Sequence, residues 1–179
     1  YEEAKEISLK ALAPLGEEYL SIVRQAYEDR WIDVCENEGK RSGAYSSGVY
    51  GVHPYMLLNY TDTLDDVFTL VHEMGHSLHT WYSSHAQSHL NSEYRIFVAE
   101  VASTTNEILL LEYLLARAED PKEKAYLVNH YLECFKGTVY RQTMFEEFER
   151  RTNAMAEEGT PLTAGTLCDT YLELNKQYF

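Results

Sequence analysis

Basic residues are scarce in this chain: 15 Lys and Arg stand against 29 Asp and Glu in 179 residues, a formal net charge of −14. A nucleic-acid backbone or an anionic membrane surface needs basic patches, so the composition argues against both as partners. Cysteine is sparse as well. Cys35, Cys134 and Cys168 are an odd number without CxxC spacing, which excludes a disulfide framework and a thiolate zinc site and fits the reducing cytoplasm. No long hydrophobic run exists: the most apolar stretch, Ile108 to Leu111, is ended by Glu112, so neither a membrane span nor a secretory leader is expected. Internal repeats, low-complexity tracts and flexible linkers are also missing. What remains is ordinary globular composition, 45% hydrophobic and 25% charged, expected to form a single domain over residues 1–179. The chain opens at Tyr1 without a methionine and stops at Tyr178-Phe179 inside an apparent helix, ends expected of a piece cut from a longer protein.

What is present centres on Val71 to Thr80, which contains His72-Glu73-Met74-Gly75-His76. On an α-helix, positions four apart are offset by about 40° and about 6 Å, so the two imidazoles lean toward one point from successive turns. A catalytic zinc takes three protein ligands and leaves a fourth position for water. Glu73 lies about 100° round the helix from His72, where its carboxylate flanks the metal and reaches that water as general base. HExxH arises by chance in chains rich in His and Glu, so its context decides. Thr61, Asp62 and Thr63 offer N-caps, and Asp62, Asp65 and Asp66 put negative charge at the positive end of the helix dipole. Leu64, Val67, Phe68, Val71, Gly75, Leu78 and Tyr82 recur at helical spacing, predicting a helix over 63–84 with a buried stripe beside the histidines. Gly75 costs about 1 kcal/mol in helix propensity, which the close approach of another element would offset.

Before this helix, residues 2–12 and Leu15 to Trp31 read as amphipathic scaffold helices, the second with Tyr19, Ile22, Val23, Ala26, Tyr27 and Trp31 on one side. Asp33 to Tyr60 reads as two or three short strands, Ser42 to Ser46 and Tyr55 to Tyr60 among them. Gly43, Ala44 and Tyr45 are candidates for an edge that pairs with an extended peptide, or for a purely structural hairpin. After it, residues 94–117 predict a very apolar helix, 122–156 a long helix with Leu127, Tyr131, Cys134, Phe135, Thr138, Phe145 and Phe148 as its stripe, and a last helix begins near Thr163. His85 and His89 read as solvated loop residues, His79 as unneeded by the metal, His130 as an interior histidine and His53 as a turn residue.

For a third ligand two glutamates compete. Glu93, Glu100 and Glu107 recur every seventh residue and would share a helix face. Glu100 is framed by Phe97, Val98, Ala99, Val101 and Ala102, where an unpaired charge would cost several kcal/mol unless a cation sat beside it. Glu107 follows Asn106, like the Asn-Glu pair that supplies the third ligand in thermolysin-like peptidases. Spacing leaves both open.

Several separated segments resemble the thimet oligopeptidase and oligoendopeptidase F family of zinc metallopeptidases. They are His72-Glu73-Met74-Gly75-His76-Ser77-Leu78-His79 and Phe97-Val98-Ala99-Glu100-Val101-Ala102-Ser103-Thr104 with Asn106-Glu107. Gly39 to Tyr45, His53-Pro54-Tyr55 through Leu58-Asn59-Tyr60, and Tyr140-Arg141-Gln142-Thr143-Met144-Phe145 resemble the oligoendopeptidase F branch in particular. The resemblance covers nearly the whole chain. It implies a mainly α, zincin-like catalytic domain fragment with a small β-strand layer before the zinc helix. One Zn2+ per chain would be held by His72, His76 and Glu100, with Glu73 as the catalytic carboxylate and Glu107 behind the ligands, orienting a histidine. It implies hydrolysis of short oligopeptides by a metalloendopeptidase, which the cysteine usage would place in the cytoplasm. Members of the family are several times longer, with an N-terminal lid and a C-terminal substrate-binding segment absent from this chain, so weak or no activity is expected of it alone. A dipeptidase like angiotensin-converting enzyme, which shares HEMGH, and a non-catalytic helical interaction domain are the alternatives.

Overall fold

The structure is a computed structural model that describes all of residues 1–179. It is mainly helical with one small sheet, and its contacts divide the chain into two compact units, Tyr1–Ala118 and Glu119–Phe179. None of its helices is long and apolar enough to cross a membrane.

The first unit holds α1 (Glu2–Ala11), α2 (Glu17–Glu28), α3 (Leu64–Ala86) and α4 (Ala99–Leu115) together with strands β1 (Ile32–Asp33), β2 (Tyr45–Ser47) and β3 (Tyr55–Leu57). β3 lies in the middle, parallel to β1 and antiparallel to β2, with Met56 opposite both Ile32 and Ser46. β2 is therefore an edge. Its start falls three residues later than Ser42, because Gly43 takes a left-handed φ of 88° and the Asn59 Nδ2 group donates to the carbonyls of Arg41 and Gly43, holding that segment as a turn. The buried Lys40 ammonium closes the preceding loop by donating to the carbonyls of Asp33 and Cys35.

α3 begins where its caps dictate. Thr63 Oγ1 accepts from the Asp66 amide at 3.3 Å, and Asp66 Oδ2 accepts in return from the Thr63 amide at 2.9 Å. Val67, Phe68, Leu70, Val71, Met74 and Leu78 are buried along one side of it, against a core that includes Leu12, Val23, Trp31, Leu58 and Leu110. The helix runs past residue 84 to Ala86, so His85 is helical rather than a loop residue: its ring stacks on Trp81 and its Nδ1 donates to the Trp81 carbonyl.

α4 departs further from the sequence reading. It starts at Ala99 rather than 94, preceded by a 3-10 turn at Ile96–Val98 and without a side-chain cap. Ile96 and Phe97 are 87% and 90% exposed. Packing an apolar face is what stabilises most helical turns in proteins, and these two residues have none to pack on. Glu93 lies in the loop before this turn, so it shares no helix face with Glu100 and Glu107.

The second unit comprises α5 (Pro121–Phe135), a π-helical turn at Lys136–Tyr140, α6 (Arg141–Glu157) and α7 (Ala164–Tyr178). The predicted continuous helix over 122–156 is thus interrupted by a wider turn at Lys136-Gly137-Thr138-Val139-Tyr140, where glycine and two β-branched residues weaken α-helical propensity. The buried residues are Leu127, Met144, Thr170 and Leu174, while Phe135 and Phe145 of the expected stripe are exposed.

Candidate metal centre

α3 and α4 make the most extensive contact in the first unit, and Gly75 explains how close they come. A Cβ there would lie 2.7 Å from Ser103 Cα and 2.8 Å from the Ala102 carbonyl oxygen, both backbone atoms of α4. Only a residue without a side chain lets the helices meet at that point, between the turns that carry His72 and His76. One turn earlier, the buried Asn106 donates through Nδ2 to the Val71 carbonyl at 2.9 Å, and its side chain also exchanges hydrogen bonds with the Tyr19 hydroxyl of α2.

This crossing brings three donor atoms together. His72 Nε2 and His76 Nε2 are 3.2 Å apart, and Glu100 Oε2 lies 3.5 Å from each. A tetrahedral ion bound at about 2.0 to 2.1 Å sets its donors about 3.3 to 3.4 Å from one another, so the triangle fits a single small divalent cation. Two bare imidazole nitrogens and a carboxylate suit zinc in chemistry as well as size. His72 has its other nitrogen engaged: Nδ1 donates to Glu107 Oε1, so the neutral ring carries its one proton there and turns a bare Nε2 to the triangle. Glu107 therefore stands behind His72 and is not a corner of the triangle. His76 also donates from its ring to the Ala99 carbonyl.

Glu73 is buried beside this cluster. Its Oε2 finds no hydrogen-bond partner, whereas the Ser46 amide of β2 donates to the carboxylate. Burial raises the pKa of the Glu73 carboxyl, with the charges of Glu100 and Glu107 adding to it against the opposing effect of His72. For His72, burial works against protonation, but the hydrogen bond and charge of Glu107, helped by Glu73 and Glu100, carry the pKa upward. Burial lowers that of His76. An ionised acid with one oxygen unpaired, next to a three-cornered cation site, can accept a proton from a water held there.

Glu100 differs from its sequence reading in one respect. Its side chain is 62% exposed, and Phe97 and Val101 beside it are exposed too, so the site is open on this side and the cost of a buried charge does not apply. The remaining histidines stand outside the cluster. His79 stacks on Tyr94 at 3.7 Å between ring centroids, and burial lowers its pKa. His53 stacks on Trp31 and donates from Nδ1 to the Pro54 carbonyl; His89 packs edge-on against Tyr50. His130 lies near Cys134 in the second unit. The polar residues to which sequence reasoning gave no part are Ser103 on α4, and Ser46 and Ser77, whose hydroxyls bond at 2.8 Å and dock β2 onto α3; Asn106 was noted only as the neighbour of Glu107, not as a bridge between helices. Ser103, three residues after Glu100, is the one that helical spacing alone could have found.

The profile of peptidase family M3 matches residues 2–179. The chain is 58% identical over 179 residues to oligopeptidase PepF of Bacillus subtilis, an alignment that covers all of this chain and 27% of the relative. Among solved structures, a candidate peptidase from Chlamydophila abortus superposes with a TM-score of 0.79 at 42% identity, over 99% of this chain and 30% of its own. Oligoendopeptidase-F from Enterococcus faecium does so with a TM-score of 0.58 at 41% identity, over 98% of this chain and 24% of its own. The chain thus spans less than a third of the length of the relatives it matches.

Proposed function

The chain belongs to peptidase family M3, and from that premise we propose that it is the metal-holding part of a zinc-dependent endopeptidase that hydrolyses short oligopeptides in the cytoplasm. The observation that carries this reading is the triangle of His72 Nε2, His76 Nε2 and Glu100 Oε2, sized for one tetrahedral ion, together with the buried Glu73 carboxyl, which feels the charges of His72 and Glu100 and has one oxygen unpaired. One Zn2+ per chain would be held by these three residues. Bound there, zinc would lower the pKa of a coordinated water toward 7 and polarise the scissile carbonyl.

The chain's own groups do the rest. Glu73 takes a proton from the water and delivers it to the leaving amine, a transfer suited to a carboxyl whose pKa burial has raised. Glu107 holds His72 in the tautomer that presents Nε2. β2 is an edge strand, the kind of element an extended peptide can pair with, although its Ser46 amide is already taken by Glu73. The net charge of −14 disfavours both a nucleic-acid backbone and an anionic membrane surface as partners.

Residues that stabilise the tetrahedral intermediate belong, in this reading, to the part of the relatives that lies outside the stretch these 179 residues match. Loss of one oxyanion donor costs about 100 to 1000-fold in turnover. Metal analysis of the purified chain together with hydrolysis of a quenched peptide tests the reading. The expected result is one zinc per chain with cleavage that is weak or undetectable, and abolished by Glu73→Gln wherever it is measurable. A chain that takes up no zinc, or whose cleavage survives Glu73→Gln, overturns it.

A further inference from the structure

Glu100 is the weak corner of the triangle: it is the only donor on α4, its side chain is largely exposed, and three rotatable bonds separate its carboxylate from the backbone. Something must hold it toward the histidines. Ser103 is fully buried and one turn further along α4, with its Oγ 2.7 Å from Glu100 Oε2, the oxygen that faces both imidazoles. A helical serine ordinarily turns its proton back to a carbonyl of the preceding turn, and Ser103 Oγ does lie 3.2 Å from the Glu100 carbonyl. The contact to the carboxylate is the shorter of the two and goes to a charged acceptor, while the carbonyl also accepts from the Thr104 hydroxyl, so the carboxylate is the stronger claimant to the Ser103 proton. Ser103 is also fixed in the frame of the other helix. Its Cα is the atom a Cβ at Gly75 would meet, so the backbone that carries this hydroxyl rests on α3 between His72 and His76.

We propose that Ser103 is a positioning residue of the metal centre: pinned against α3 at Gly75, its hydroxyl aims the Glu100 carboxylate at the point where the two histidines converge. The proposal deepens the zinc reading above and rests on it. Ser103 touches neither the ion nor the peptide; it converts the close crossing of the helices into the orientation of the third ligand. The competing explanation is that Ser103 is there only because it is small enough for the crossing.

Ser103→Ala separates the two, since it keeps the small size and the helix and removes only the hydroxyl. Zinc affinity of the chain is measured by competition with a chromophoric chelator, and the cobalt-loaded chain is examined by visible absorption. The expected result is an affinity about 10 to 100-fold lower with an altered cobalt spectrum, and no change in the far-ultraviolet dichroism of the metal-free chain. In a Glu100→Ala background, Ser103→Ala should cause no further loss, because the carboxylate it aims is gone. Equal affinity and spectrum for Ser103→Ala and the unaltered chain overturn the proposal while leaving the zinc reading intact, as does an undiminished effect in the Glu100→Ala background. Failure of the unaltered chain to bind zinc overturns the zinc reading itself, and the proposal with it.

Discussion

The two helices that make the candidate centre are built on different terms. α3 is specified by its own residues: a reciprocal cap between Thr63 and Asp66, a buried stripe from Val67 to Leu78, and two imidazoles whose convergence follows from helical pitch alone. α4 has no side-chain cap, enters through a 3-10 turn and carries its donor, Glu100, on an exposed surface. It is placed by tertiary contacts, with Ala102 and Ser103 against Gly75 and Asn106 on the Val71 carbonyl. These contacts interleave with the functional positions, each α3 contact lying one residue before a histidine. Two donors are therefore set by local sequence, and the third only after the chain has packed.

This contrast can be broken most severely from the α3 side. His76→Ala removes a donor outright, and zinc affinity measured by chelator competition should fall well beyond the about 100-fold that loss of an outer partner typically gives. Thermal unfolding of the metal-free chain should change far less.

Gly75→Ala attacks the crossing itself. The added methyl meets backbone atoms that cannot rotate away, so the helices must separate. Overpacking of this kind costs about 1 to 3 kcal/mol, readable in denaturant unfolding of the metal-free chain, and the shift of Glu100 away from the histidines should weaken zinc binding as well. Unchanged stability and affinity would mean that the two helices do not meet at this residue.

The smallest effect lies at the α3 cap. Thr63→Ala should cost about 1 kcal/mol and leave zinc affinity nearly unchanged, since the cap defines the helix and not the crossing. Asp66 gives the matching pH dependence. Burial disfavours its charge, but hydrogen bonds from the backbone and hydroxyls of Thr63 and Thr61 outweigh this and lower its pKa below the ordinary aspartate value. A group with a depressed folded pKa stabilises above its unfolded value, so this contribution is present at neutral pH and lost as pH falls below about 4. Acid unfolding monitored by dichroism should show that loss in the unaltered chain and a reduced one in Asp66→Asn.

The same division explains what could be read from the residues alone. The helix over 63–84, its cap at Thr63, the stripe from Val67 to Leu78 and the pairing of His72 with His76 are all local properties, and each appears in α3, which runs two residues further; Leu64 and Tyr82, at the ends of the expected stripe, are only half-buried. The choice between Glu100 and Glu107 was not local. Both lie on α4, and which one reaches the triangle depends on the register at which Gly75 and Asn106 hold the helices. Glu107 instead accepts from the far nitrogen of His72. The apolar neighbours of Glu100 suggested burial, but Phe97 and Val101 point away from the core, because hydrophobic residues near a helix start carry no statement of which side they face. The π-helical turn at Lys136–Tyr140 had only a weak local cue in Gly137, Thr138 and Val139, and the apolar stripe that continues through it outweighed that cue in the reading of one helix over 122–156.

The account's central claim is that α3 and α4 hold one cation between His72, His76 and Glu100. A zinc-edge anomalous difference map from zinc-loaded crystals of the chain tests it most directly. The account predicts one strong peak at about 2.0 to 2.2 Å from His72 Nε2, His76 Nε2 and a Glu100 oxygen; a peak ligated by Glu107 in place of Glu100, or no peak between the two helices, would contradict it.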